Sequence, residues 1–322
     1  MESEWLEEFR NPPAACGHVM FWIWNGDVNE RRITEMLEQF VEQGVGGVFV
    51  HSRTGLLTEY LSDRWFELWE HSLRESARLG LECHIYDEDG FPSGNAGGRV
   101  FDECPDAAQQ SLRVSRYGDP ASVPGEDLVA AWRVKTDGPP QPVSDPSALS
   151  DVAGPVIAAH RHRPTPGERR RPDLSRPEVT RTFLRLTHDE YARRFGQQFG
   201  HLIRYAFTDE PGIGADRALP WSEYMLAEFQ QDHGYDLRER VGALLFDTED
   251  APGVRFDYYE TLNRLFCENF AGQCYDWCEE HDLQFTGHWW EHEWPSPGKQ
   301  PNAMALYRWM QAPGVDMLGF QF

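Results

Sequence analysis

Lysine is almost absent from this 322-residue chain: Lys135 and Lys299 are the only two, so 28 of the 30 basic residues are arginine. Cysteine is sparse as well, six in all, too few for a disulfide scaffold. Cys267, Cys274 and Cys278 fall on one helical face and read as small buried hydrophobes. No run of about 18 apolar residues exists, so no membrane span is expected. The opening Met1-Glu-Ser-Glu-Trp-Leu-Glu-Glu-Phe-Arg10 is acidic and lacks an apolar core, so it is not a signal peptide. The chain therefore reads as cytoplasmic. No internal repeat is visible.

Acid and aromatic residues are abundant. There are 53 Asp and Glu residues, giving a formal charge of −23. Such a surface repels nucleic acid and anionic membranes, so neither is an expected partner. With 40% hydrophobic and 13% aromatic residues, the chain has the material for a sizeable core and is not a disordered acidic polymer. Excess carboxylate with scarce lysine is what a salt-adapted cytoplasm favours. Arginine-rich codon usage would explain the missing lysines but not the extra negative charge.

The first hundred residues alternate between strand and helix patterns. His18-Val-Met-Phe-Trp-Ile-Trp24 is a continuous apolar run, as in a strand buried on both faces. Asp27 and Glu30 resemble a capping box, and apolar residues then repeat at helical spacing until Gly44. A second strand over 45–50, a helix opened by Ser62, and a third strand over 81–86 follow. This order predicts βαβ units and a parallel sheet. From about 105 to 180 the rhythm breaks into a Pro-, Gly- and Arg-rich segment with short β-like pieces near 112–117, 128–134 and 156–160. The basic stretch 161–171 reads as a solvated loop. Alternation resumes with a strand over 202–207, a helical pair over 221–246, a long helix over 256–281 and a strand over 283–287. A short helix over 303–310 leads to a last strand over 315–320. The organisation expected is a first barrel half at 1–100, an inserted β-rich segment at 101–185, and a barrel continuation at 186–322. The fold class is α/β, a TIM-type (β/α)8 barrel with about six βα units present.

Polar residues gather where these strands end. Trp24 and Asn25 close the first, His51 and Arg53 the second, Asp87, Glu88 and Asp89 the third, and Asp209 and Glu210 the fourth. His288, Trp289, Trp290, Glu291, His292 and Glu293 follow the fifth. Active-site residues of (β/α) barrels come from the C-terminal strand ends, and here the rule repeats five times. The chemistry suggested is glycoside hydrolysis by two carboxylates. Glu210, directly after an apolar strand and beside Asp209, is the candidate acid, because burial next to another carboxylate raises a pKa. Glu291 is the candidate partner, with Glu293 two positions on. Substrate contacts are expected from Trp24, Asn25, His51, Arg53, Asp87, Glu88, Asp209, His288, Trp289 and Glu293, with Trp22, Trp24, Trp289, Trp290 and Trp294 suited to stacking on sugar rings.

At Tyr86-Asp-Glu-Asp-Gly-Phe-Pro-Ser-Gly94 the sequence resembles glycoside hydrolase family 106, the α-L-rhamnosidases. Phe21-Trp-Ile-Trp-Asn-Gly26, Gly46-Gly-Val-Phe-Val-His-Ser-Arg53, Phe207-Thr-Asp-Glu-Pro211 and Ala312-Pro-Gly-Val-Asp-Met-Leu-Gly319 agree with it. The resemblance covers about 11–100 and 181–322. It implies a (β/α)8 barrel, hydrolysis of terminal α-L-rhamnosides with inversion, a calcium ion that helps hold the sugar, and the acid role at Glu210. Members of this family are usually much longer. Six βα units then suggest a piece of a barrel completed by a missing C-terminal part or by another chain.

Two other functions compete. His288-Trp-Trp-Glu-His292 matches the H-x-x-E-H pattern of zinc hydrolases, although that motif needs a helix to bring both imidazoles to one face. A barrel piece without catalytic capacity would bind carbohydrate only. The charge supplies a direct test. If it is a salt adaptation, the melting temperature rises from low to molar salt as carboxylate repulsion is screened, whereas a flat response leaves codon usage as its cause.

Overall fold

The computed structural model describes residues 4–10, 12, 16–165, 167–168, 170–214, 218–293 and 297–318. After α1 (Glu4–Arg10), two βα repeats and a third strand run β1 (His18–Gly26), α2 (Glu30–Glu42), β2 (Val45–Leu56), α3 (Asp63–Leu79) and β3 (Glu82–Asp89). The cap of α2 is Asn29 rather than Asp27: its side chain accepts the Arg32 N–H at 3.2 Å, while Asp27 offers its carbonyl to the Arg32 guanidinium. Ser62 caps α3 as expected, accepting from Trp65 N–H, and Gly80 ends the helix in the left-handed region at φ 76°.

After α4 (Val100–Glu103) the chain builds an antiparallel sheet from β4 (Ser111–Tyr117), β5 (Leu128–Arg133), β6 (Gln141–Pro142), β7 (Val156–His162) and, later, β9 (Leu219–Pro220), in the order β6-β5-β7-β4-β9. Ala131 and Ala158 face a small core of their own with Leu149 and Val156. Their neighbours Trp132 and Ala159 point the other way, into the main core, as strand alternation requires. The basic stretch is less solvated than expected, since Arg161 belongs to β7 and its guanidinium binds Asp127 at 2.8 Å.

The parallel series resumes through α5 (Pro177–Leu186), α6 (His188–Phe195), β8 (Tyr205–Asp209), α7 (Glu223–His233) and α8 (Val241–Leu245). One continuous helical rod follows: α9 (Ala251–Phe266), a π-helical turn (Cys267–Gly272) and α10 (Gln273–Glu280). Cys267, Cys274 and Cys278 are buried along it as free thiols. Then come β10 (Gln284–His288), α11 (Ala303–Tyr307) and β11 (Ala312–Pro313). The last strand thus precedes the predicted 315–320. Residues 314–318 are irregular, and Gly319 and Phe320 lie outside the described residues.

Six strands form one parallel sheet in the order β1-β2-β3-β8-β10-β11. Among the described residues the outer edges of β1 and β11 carry no ladder partner, so the ring of eight strands expected from the resemblance is not observed. The sheet is nevertheless curled. Phe21 on β1 and Phe207 on β8 are three strand spacings apart, about 14 Å in a flat sheet, yet their rings lie 4.7 Å apart. Phe21, Phe49, His51, Tyr86 and Phe207 share this concave face, while Trp22 and Trp24 point to the helix layer. On β1, Phe21 and Ile23 are 43% and 40% exposed although they face inward, because no further strand covers them.

Gly287 marks the closest approach of β10 to β8. Its φ is 131°, and a Cβ there would overlap the Thr208 carbonyl. Gly287→Ala is expected to cost on the order of 3 kcal/mol or more, read as a lower urea midpoint. An unchanged midpoint would show that the two strands separate freely.

Candidate active site

A cavity of about 430 Å³ opens at the C-terminal ends of the parallel strands. Phe21, Ile23, His51, Arg53, Phe207, Asp209, Glu210 and His288 line it from β1, β2, β8 and β10, with Phe91 from the loop after β3 and Gly314 to Asp316 and Leu318 after β11. These side chains share a face because they alternate with the outward Trp22, Trp24, Ser52 and Thr208.

Three strands converge on Asp209. Tyr86 Oη donates to its Oδ2 at 2.5 Å, and His288 Nε2 lies 3.0 Å from its Oδ1. Burial would raise the Asp209 carboxyl, but these two bonds hold it below its ordinary range, so the group is ionised. Burial likewise opposes the His288 charge, yet the carboxylates of Asp209 and Glu291 outweigh it and push the imidazole up to about 9. His288 Nδ1 faces the Trp289 carbonyl at 3.0 Å and Glu291 Oε1 at 3.6 Å.

Glu210 stands next to this ion pair in a left-handed backbone conformation, φ 47°, unusual for a side chain of its size. Its own N–H donates to the His288 carbonyl at 3.2 Å, and Trp290 Nε1 donates to its carbonyl at 2.6 Å. The strained turn aims the carboxyl into the cavity, 3.2 Å from His292 Nε2. Burial first, and the negative charge of Asp209 second, raise its pKa to about 7.

His51 stacks on Tyr86 with ring centroids 3.5 Å apart and is 2% exposed. Burial and the Arg53 charge press it down to about 4, so the ring is neutral. Neither ring nitrogen completes a hydrogen bond of strict geometry, although the Gly90 backbone is near enough to act on the ring. Arg53 lies over the Phe91 ring at 4.8 Å.

Several expected contacts are elsewhere. Trp24 packs on Trp22 and Trp65 in the helix layer, and Trp289 packs on Phe266 and Phe285, so neither can stack on a ligand in the cavity. Asn25 is exposed at the end of β1, outside the lining. Glu293 pairs with Lys299 at 2.6 Å. Trp294 lies outside the described residues. Asp87 and Glu88, expected to touch substrate, instead hold the loop that carries Phe91. Glu88 accepts backbone N–H groups of Asp89, Asn95, Ala96 and Gly97 at 2.6–2.9 Å. Asp87, 0% exposed on the outward face of β3, accepts from Ser93 Oγ at 2.5 Å, and burial pushes its carboxyl well up. Ser93 Oγ also receives the Asp209 N–H at 2.8 Å, tying loop to site.

Glu291 does not line the cavity either. Its Oε1 accepts the Asp316 N–H at 2.5 Å, which fixes the segment that brings the Asp316 side chain in. Asp316 itself was not singled out by the sequence, because a predicted strand over 315–320 hid its position at a strand end.

Glu210, His288, His292 and Asp316 offer ligand atoms within 4.8 Å of one another. Two imidazoles among four donors suit zinc or a similar transition metal, not calcium, which takes six to eight oxygens. The calcium implied by the resemblance therefore does not fit this donor set. The H-x-x-E-H segment is also not helical: His288 ends β10, and Glu291 to Glu293 form a 3-10 turn.

No family model and no curated protein match the chain. Among solved structures, a rhamnosidase from Novosphingobium sp. PP1Y aligns with a TM-score of 0.62 at 16% identity, over 94% of this chain and 48% of that one. The chain spans about half the length of that protein, and the likeness is one of fold.

The ion pair has a pH signature. His288 rises from 6.5 to about 9 on folding, so its stabilisation is complete below about pH 6.5 and lost as pH rises through 9. Glu210, raised from 4.5 to about 7, adds an earlier loss between those values. Urea titrations from pH 5 to 10 should show stability falling across both windows, with His288→Gln removing the fall between 7 and 9. The same fall in that variant would place the titration elsewhere.

Proposed function

We propose that this chain is a glycoside hydrolase acting on a terminal α-L-rhamnoside or a related sugar by acid/base catalysis. The observation that supports it is one cavity holding two adjacent carboxyls with opposite protonation: Asp209 ionised beside His288, and Glu210 held protonated to about pH 7. Environments that drive paired carboxyls apart in this way keep one of them protonated as a general acid in glycosidases. The fold likeness to a rhamnosidase supports the same class.

Glu210 gives its proton to the glycosidic oxygen as the bond breaks. Burial and the Asp209 charge keep Glu210 protonated, and the Asp209 carboxylate stabilises positive charge in the oxocarbenium-like transition state. For the second carboxylate we assign Asp316, which lines the cavity, with Glu291 fixing its backbone; its oxygen lies within 4.8 Å of that of Glu210, a spacing nearer the roughly 5–5.5 Å of an attacking nucleophile than the span a water-activating base requires. The stacking surfaces for the sugar are Phe21, Phe91 and Phe207 rather than tryptophans.

The four-donor cluster supports a second function, metal-assisted hydrolysis. Dialysis against chelator separates the two: the glycosidase keeps its activity, and a metal hydrolase loses it until zinc is restored.

Glu210→Gln is expected to lower kcat/KM on a glycoside with a poor leaving group by at least about 100-fold, and less on an activated aryl glycoside that needs little protonation. Wild-type activity should fall above about pH 7 as Glu210 ionises. A fully active Glu210→Gln protein on the poor leaving group would refute the assignment.

A further inference from the structure

Arg53 is the cavity group that the acid/base chemistry leaves unused. His51 and Arg53 stand two residues apart on β2, so both face the cavity while Ser52 between them turns away and donates to Asp89 at 2.5 Å. Arg53 makes no hydrogen bond or ion pair with any described residue. Exposed arginines such as Arg116 and Arg133 also lack such partners, but Arg53 is partly buried and faces the cavity.

The guanidinium is not loose. It lies over the Phe91 ring at 4.8 Å, and the loop bearing Phe91 is fixed from below by the four N–H bonds to Glu88. Stacking on an aromatic face restricts the guanidinium plane and leaves its N–H fork free at the edge. Such a fork matches a planar carboxylate through two parallel bonds. Beside it, His51 offers a neutral ring with nitrogens that complete no hydrogen bond of strict geometry, suited to a sugar hydroxyl.

The other charges in the cavity do not repel an anion as strongly as their number suggests. Asp209 is paired with His288 at 3.0 Å, and Glu210 lies 3.2 Å from His292 Nε2. Asp316, which enters the same cavity after β11, is the remaining carboxylate of the lining.

From this geometry we propose that the cavity takes, in place of neutral rhamnose, a related acidic sugar, a uronic acid or a residue bearing a comparable carboxylate, and that Arg53 recognises the carboxylate while His51 recognises a neighbouring hydroxyl. The proposal rests on the glycosidase function of the same cavity, and its test is a binding measurement that needs no turnover.

The full chain is titrated with D-glucuronate, D-galacturonate, D-glucose and D-glucose 6-sulfate, with dissociation constants read by ligand-observed NMR at fixed ionic strength. At least one uronate is expected to bind tenfold or more tightly than glucose. Arg53→Gln should abolish that preference while leaving the circular dichroism spectrum unchanged, and Arg53→Lys should retain part of it. Uronates binding no better than glucose, no detectable binding, or a preference that survives in Arg53→Gln would each overturn the proposal. Glucose 6-sulfate binding as tightly as the uronates would overturn the carboxylate assignment. If the uronate preference holds while aryl uronides and neutral aryl glycosides all stay intact, the glycosidase function fails and the acidic-ligand site stands.

Discussion

The site depends on one buried carboxylate. Asp209 ends β8 with its oxygens divided between the Tyr86 hydroxyl from β3 and the His288 imidazole from β10, so a single side chain ties three adjacent strands at the mouth of the cavity. Its charge is kept by those two bonds, and keeping it has consequences on both sides. His288 becomes a cation that Glu291 also faces, and Glu210 cannot ionise at the pH of a free carboxyl. The left-handed turn at Glu210 and the glycine at 287 are the backbone cost of bringing β8 and β10 close enough for this pairing.

A second layer of acidic residues supports the first without touching the cavity. Asp87, Glu88 and Asp89 follow one another at the end of β3, and each is bonded to a structural partner: Ser93, the loop N–H groups, and Ser52. Their loop carries Phe91 to the cavity wall and passes Ser93 beneath Asp209. The acidic motif that most resembles a known family is thus a scaffold for the site. No helix among the described residues is long and apolar enough to cross a membrane.

Much of this was legible in the sequence. The βα order, Ser62 as a cap, the β-rich insertion and the convergence of His51, Arg53, Asp209, Glu210 and His288 all follow from periodicity and from the rule that barrel sites sit at C-terminal strand ends. What failed was facing. β1 is apolar on both sides, so its sequence does not say whether Trp24 or Ile23 points inward, and the structure turns the tryptophan out. Trp289 was lost for the same reason. Asp87 and Glu88 were misplaced because composition does not distinguish a carboxylate that serves loop N–H groups from one that serves a ligand. Asp316 was missed because a two-residue strand, Ala312–Pro313, carries almost no periodic signal.

The central claim is that burial, together with the Asp209 charge beside it, keeps Glu210 protonated near neutrality. A carbon-13 NMR titration of the Glu210 carboxyl, assigned with Glu210→Gln and repeated in Asp209→Asn, measures this directly. A midpoint near 7 in the native chain, moving toward the ordinary glutamate value in Asp209→Asn, is the predicted result. A native midpoint near 4.5, or one unmoved by Asp209→Asn, would contradict it.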